Sequence, residues 1–145
     1  MTYRLRPAQP DDASALEGIQ QATLSDPNPG LLTLGVDGPL STLVAVDVRD
    51  RPVGYLLALT DDQRAYISEL AVAPGHQRQG VGTALLERFV AESQEKQFET
   101  VRLTARASDE RARSFYEQQG FAVVDRTPAY YDDGTDGVVY ERALN

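Results

Sequence analysis

A mixed β-sheet with helices on its faces is the fold class that the sequence predicts. Three observations carry it. Apolar and β-branched residues form three consecutive short runs between residues 42 and 72, separated by turn formers, which reads as hairpin-connected strands. From Gly80 the apolar period changes from 2 to about 3.6, and it does so again after Asp109, with a β-rich run at 100–105 between the two. The tail then returns to short β-rich runs. Hairpins followed by β-α-β-α imply a mixed sheet covered by helices. No linker, repeat or low-complexity tract divides the chain, and its 145 residues suit one domain over 1–145.

Each element follows from its residues. Tyr3-Arg4-Leu5-Arg6 alternates and reads as a short strand, stopped by Pro7 and Pro10. Asp11 or Asp12 can cap the helix that follows, where Leu16 and Ile19 share one face. Residues 25–41 are rich in Pro, Gly, Asp and Asn and read as a long loop with at most one helical turn or short strand inside. Strands are expected at 42–48, 53–59 and 65–72, the last ended by Pro74 and Gly75. Val81, Leu85 and Phe89, spaced by four, mark a helix reaching about Gln97. After the strand 100–105, Asp109 is placed to cap a second helix with an Ala112, Phe115, Tyr116 stripe and Gly120 at its end. Phe121–Val124 and Val138–Tyr140 are the last two strands, around a polar turn at 132–137.

Composition excludes several classes. With 14 Lys plus Arg against 22 Asp plus Glu, the net charge is −8, which argues against nucleic acid and against an anionic membrane surface as partners. A chain without cysteine has no thiolate nucleophile, disulfide framework or thiolate metal site. One histidine, His76, cannot build a His-based metal cluster, so no metal is expected. No apolar run approaches the ~18 residues of a membrane span, and no apolar leader is visible at the start, so a cytoplasmic setting is expected.

One loop carries chemistry. Gln77-Arg78-Gln79-Gly80-Val81-Gly82-Thr83 lies between a strand and a helix. Two glycines at a helix start let backbone approach a ligand, and the first helical N–H groups with the helix dipole form an anion site. From Pro74 to Leu86 there is no acidic residue. In a chain of net −8, that suits a phosphate-bearing ligand. A Walker A loop is excluded because no Lys follows either glycine, and a dinucleotide fingerprint fails because its third glycine is Leu85. On these residues alone, an ordinary glycine-containing strand–helix turn stays open.

Gln77-Arg78-Gln79-Gly80-Val81-Gly82 resembles the Gln/Arg-x-x-Gly-x-Gly/Ala loop of the GNAT superfamily of N-acetyltransferases, and Leu70-Ala71-Val72-Ala73-Pro74 resembles its lead-in strand. Asp109 to Phe121 is similar to the family's second signature, Asn-x-x-Ala-x-x-Phe/Leu-Tyr-x-x-x-Gly-Phe. The tail from Arg126, with Tyr130-Tyr131, resembles bacterial ribosomal-protein-alanine N-acetyltransferases. The resemblance implies a mixed, mostly antiparallel sheet of about six or seven strands, splayed between the fourth and fifth. It implies acetyl-CoA as cosubstrate and a primary amine, on a small molecule or a protein N-terminus, as acceptor. A monomer or homodimer is expected.

The resemblance also assigns roles. Leu70, Ala71 and Val72 would pair with the pantetheine arm. Gln77, Arg78, Gln79, Gly80, Val81, Gly82 and Thr83 would hold the pyrophosphate. Tyr116 would protonate the departing thiolate, a suitable task for a hydroxyl of pKa near 10. Asp109 replaces the usual Asn, which keeps the cap and loses any amide donor; Arg111 and Arg113 on the same helix would lie near the adenosine phosphate, or else on a solvated helix face. Glu69 is the one acid on the strand entering the loop and the candidate base; as an inert residue it would be solvated or salt-bridged. Many relatives place Glu where this chain has Ser68, and ribosomal-type relatives place a base where it has Thr104. A water relay through Tyr66, Ser68 or a backbone carbonyl therefore stands beside Glu69. The missing base positions also leave open a rival, an acyl-CoA-binding regulatory module without catalysis.

Overall fold

The structure is a computed structural model that describes residues 3–24 and 41–144. The elements run β1 (Arg4–Pro7), α1 (Ala13–Thr23), β2 (Ser41–Val46), β3 (Pro52–Thr60), β4 (Arg64–Val72), α2 (Val81–Glu95), β5 (Thr100–Arg106), α3 (Glu110–Gln118), β6 (Ala122–Thr127) and β7 (Gly137–Ala143), with 3-10 turns at Pro10–Asp12 and Pro74–His76. This is the predicted order. The loop expected at 25–41 lies outside the described residues, except for Ser41, which opens β2. Among the described residues no helix is long and apolar enough to cross a membrane.

Two compact units are present. One takes the described residues up to Leu59 and Ser68–Glu92; the other takes Thr60–Ile67 and the residues from Ser93 on. In the first unit β1 pairs antiparallel with β2, from Arg4↔Val46 to Pro7↔Leu43, and β2 pairs antiparallel with β3, with a bulge at Ala45/Val46. The neighbour of β3 is β4. β2 and β3 are buried along nearly their whole length, as strands covered on both faces are. The two faces divide by the period of 2. Tyr55 and Leu57 pack with Leu16 and Ile19 of α1 and with Val44, Val46 and Ala71. Gly54 faces the other way: a Cβ built there would lie 3.1 Å from both Val81 Cγ1 and the Ala71 carbonyl oxygen, with Leu85 Cδ1 at 3.5 Å. A side chain at 54 would thus push on the first turn of α2, the element that carries the glycine loop.

Asp12 does not cap α1 with its side chain. Its carboxylate accepts from Arg6 Nη1 (2.7 Å) and Nη2 (3.0 Å) and from the Gln9 N–H (2.8 Å). This two-pronged pair ties the helix entry to β1.

In the second unit β4 pairs parallel with β5, from Arg64↔Thr100 to Ile67↔Leu103. β5 and β6 both pair antiparallel with β7. The β6–β7 ladder extends to Thr127↔Gly137, so both strands are longer than their apolar runs suggested; a bulge sits between Val123 and Asp125. On β5, Val101, Leu103 and Ala105 are buried and alternate with half-buried residues. The fold is thus a mixed sheet of seven strands, mostly antiparallel, with one parallel pair. The β4–β5 pairing stops at Ile67↔Leu103, although β4 runs on to Val72 and β5 to Arg106. That is the predicted parting of the fourth and fifth strands.

Candidate active site

The glycine loop is built by the end of β4. Leu70, Ala71 and Val72 close the strand beyond its last β5 partner. The Ala73 N–H donates to the Val53 carbonyl (2.8 Å), and Gln77 Nε2 donates to the Val72 carbonyl (3.0 Å), so the loop is clipped back onto its own strand. Tyr3 Oη meets His76 Nδ1 (3.1 Å) and also donates to Gln79 Oε1. Arg78 and Gly80 both have positive φ, +62° and +82°. For Gly80 this is free of cost; for Arg78 it is on the order of 1 kcal/mol of local strain. Gln77 to Gly80 are exposed. The first intrahelical bond runs from the Ala84 N–H to the Gly80 carbonyl (2.9 Å). The N–H groups of Val81, Gly82 and Thr83 therefore precede the helical ladder. With no acid from Pro74 to Leu86, these residues fit an anionic pyrophosphate.

Glu69 sits on the same strand but points into the core. Ala65, Ile67, Glu69 and Ala71 form the buried face of β4. Glu69 is 8% exposed. It is neither solvated nor salt-bridged: it accepts from Gln20 Nε2 (3.0 and 3.2 Å) and from Tyr55 Oη (2.9 Å). Burial raises its pKa above the ordinary 4.5, against the pull of those two donors. Burial and the adjacent carboxylate push the Tyr55 hydroxyl up as well, so it stays a donor. The signal for this placement was in the sequence, since Glu69 interrupts an alternating Ala65, Ile67, Ala71 series. Its partners Gln20 and Tyr55 had no local signal.

The opposite face of β4 carries Tyr66 and Ser68, both half-buried. Tyr66 Oη shares a hydrogen bond with Thr104 Oγ1 of β5 (2.8 Å). Tyr130 lies beside it, and burial raises the Tyr66 pKa above 10. Tyr130 and Tyr131 stack edge to face at 5.0 Å, and the Arg106 guanidinium covers the Tyr131 ring at 4.2 Å. Arg106 also pairs with Asp133 (2.9 Å). Asp136 ties the turn together, accepting from the Ala129 N–H and from Arg126 Nε (both 2.9 Å). A Cβ on Gly137 would lie 2.8 Å from Thr104 Cγ2 and 3.0 Å from Tyr130 Cγ. The glycine makes room for Tyr130 over β5. Tyr66, Thr104 and Tyr130-Tyr131 are each singled out in the sequence, but their meeting is not, because they come from β4, β5 and the β6–β7 turn. Among the described residues no cluster of His, Cys, Asp or Glu can hold a metal ion.

Asp109, Arg113 and Tyr116 come together on α3 and its cap. The Asp109 carboxylate accepts from the Ala112 N–H (3.0 Å), the expected N-cap. Gly120 follows the helix at φ +88°. Arg113 donates from Nε to Tyr140 Oη (3.0 Å) and from Nη1 to the Ala107 carbonyl (3.1 Å), so its guanidinium is engaged inside this unit. Tyr116 is half-buried among the rings of Phe115 (5.4 Å), Phe121 (6.1 Å) and Tyr140 (6.1 Å). Burial, then the charges of Asp109 and Tyr131, raise its pKa above the ordinary 10. Its hydroxyl has no hydrogen-bond partner among the described residues and stays protonated at neutral pH, the state an acid needs.

Comparison with known proteins gives consistent matches. The family model described as "Acetyltransferase (GNAT) family" matches residues 7–121. An uncharacterized N-acetyltransferase of Methanocaldococcus jannaschii is 31% identical over 132 residues, covering 88% of this chain and 83% of that protein. The ribosomal protein bS18-alanine N-acetyltransferase of Escherichia coli is 40% identical over 73 residues, 50% of this chain and 49% of its own. Among solved structures, Ard1 from Thermoplasma volcanium matches with a TM-score of 0.92 at 28% identity, covering 100% of this chain and 99% of that one.

Proposed function

Since the chain belongs to the acetyltransferase (GNAT) family, we propose that it transfers the acetyl group of acetyl-CoA to the N-terminal α-amino group of a polypeptide. The observation that carries the donor half is the acid-free loop at 77–83, with left-handed backbone at Arg78 and Gly80, opening directly onto the first turn of α2. Its N–H groups suit the pyrophosphate. The backbone of Leu70, Ala71 and Val72, past the last β5 partner, suits the amide-bearing pantetheine arm as an added strand. An N–H at Ala71 or Val72 would polarise the thioester carbonyl. The acceptor half is supported by the fixed aromatic corner of Tyr66, Tyr130 and Tyr131 and by the likeness to an enzyme named for a ribosomal-protein alanine.

In this mechanism the neutral amine attacks the thioester carbon, the C–S bond breaks, and Tyr116 gives its proton to the departing sulfur. The proton lost by nitrogen goes to a base. Glu69, raised in pKa, is one candidate; water held by Tyr66 and Thr104 is the other. The pleat favours the water, because Tyr66 shares its face with Ser68 and hydrogen-bonds Thr104, whereas Glu69 is buried under α1 with Gln20 and Tyr55. Tyr66→Phe is therefore expected to lower kcat by about tenfold or more, and Glu69→Gln by less. Steady-state rates decide it, and the reverse order returns the base to Glu69.

The function itself is tested with acetyl-CoA and three acceptor sets: peptides with a free N-terminal alanine, serine or methionine; the same peptides blocked at the N-terminus but carrying lysine; and small amines. Thiol release confined to the first set is the expected result. Release with small amines alone overturns the polypeptide acceptor. Acetyl-CoA binding without amine-dependent release points instead to a regulatory module.

A further inference from the structure

We propose that Tyr140 is a positioning residue, a clamp that fixes α3 in the orientation from which Tyr116 donates its proton; this rests on Tyr116 being the acid. α3 has the sequence Glu-Arg-Ala-Arg-Ser-Phe-Tyr-Glu-Gln, and none of its nine residues is fully buried. Half-buried Ala112, Phe115 and Tyr116 give it a narrow apolar stripe. An apolar contact of that size resists removal of the helix but does little against its rotation or sliding, because such attraction is non-directional. Directional bonds supply what is missing.

Tyr140 comes from β7 with its ring fully buried. Its hydroxyl accepts from Arg113 Nε (3.0 Å) and donates to Glu117 Oε2 (2.7 Å). Arg113 and Glu117 are four apart, on one face of α3, and they bracket Tyr116 in sequence. One hydroxyl thus holds two successive turns of the helix, while its ring lies 6.1 Å from that of Tyr116. Two residues on along β7, Arg142 Nη1 donates to the Gln119 carbonyl at the helix end (3.0 Å). Residues 140 and 142 share a face of the strand, so β7 grips α3 at two heights. Arg113 also reaches the Ala107 carbonyl ahead of the helix (3.1 Å), which sets the helix start. Every one of these bonds is polar and angle-dependent. Together they specify where the Tyr116 hydroxyl points, and they leave that hydroxyl itself unengaged.

The test is a double-mutant cycle. Tyr140→Phe keeps the buried ring and removes only the hydroxyl. It is expected to lower kcat about tenfold, with the KM for acetyl-CoA changed less than about twofold. In the Tyr116→Phe background the same change is expected to cause no further loss, because the clamp acts only through Tyr116. Glu117 is exposed, so Glu117→Leu leaves the core intact and is expected to lower kcat in the same direction. Unchanged kcat in Tyr140→Phe and Glu117→Leu, beside a loss in Tyr116→Phe, overturns the clamp alone. An equal loss for Tyr140→Phe in both backgrounds also overturns it, as a general structural effect. Unchanged kcat in Tyr116→Phe overturns the acid and the clamp with it.

Discussion

Tyr116→Phe is expected to cut kcat by about 10²-fold or more, the scale of a lost general acid, while the KM for acetyl-CoA stays within about twofold. The ring is held by Phe115, Phe121 and Tyr140, and phenylalanine preserves those contacts. The hydroxyl has no hydrogen-bond partner among the described residues, so its removal orphans nothing in the fold and thermal stability should hardly move. The pH profile adds a second check. Because burial raises the phenol above the ordinary value of 10, loss of the acid form lies above that value, and any fall in wild-type kcat below it belongs to another group. A kcat equal to wild type rejects the acid assignment.

Asp12→Ala is expected to destabilise the protein by about 1.5–3 kcal/mol, the worth of charge-assisted hydrogen bonds in a part-buried pair. The side chains of Arg6 and Asp12 are 14% and 8% exposed, and two bonds join them. Arg6 also touches Asp50 (3.1 Å), but that carboxylate is 53% exposed. Asp50→Ala should therefore cost far less than Asp12→Ala. Urea unfolding of the two variants separates the cases, and equal small losses would reject the part-buried-pair account. The pH dependence follows from the same bonds. Arg6 holds the Asp12 carboxyl below the ordinary 3.8, so its contribution is complete above that value and disappears as pH falls through the depressed one. Glu69 works in the opposite sense: its buried charge costs stability above its raised pKa, and the cost is relieved as pH falls through it.

Much of this was legible in the residues. Periodicity located the elements, Asp109 and Gly120 bounded α3, and the glycines with the acid-free stretch located the loop. Those features are local: caps, turns and periods are decided within a few residues of themselves. What escaped is long-range pairing. Asp12 looked like a helix cap because its competition with Arg6 depends on where β1 passes. Glu69 read as a candidate base, or else a solvated or salt-bridged residue, because its buried partner Gln20 lies 49 positions away. Tyr140 was one more aromatic in a β-rich run until the register of β7 set it against Arg113 and Glu117.

β4 bears on how this fold can be recombined with its relatives. Its first half belongs to one unit and its second half to the other, so the chain changes unit after Leu59, after Ile67 and after Glu92. Neither unit is a continuous length of sequence, and no single crossover transfers one whole. A chimera joined after Glu92 would inherit a foreign β5 and β6–β7 turn but keep its own Tyr66, setting an unmatched hydroxyl against whatever stands at position 104. Moving the paired Tyr66 and Thr104 intact between relatives therefore calls for the short segment 60–67 to travel with the long one.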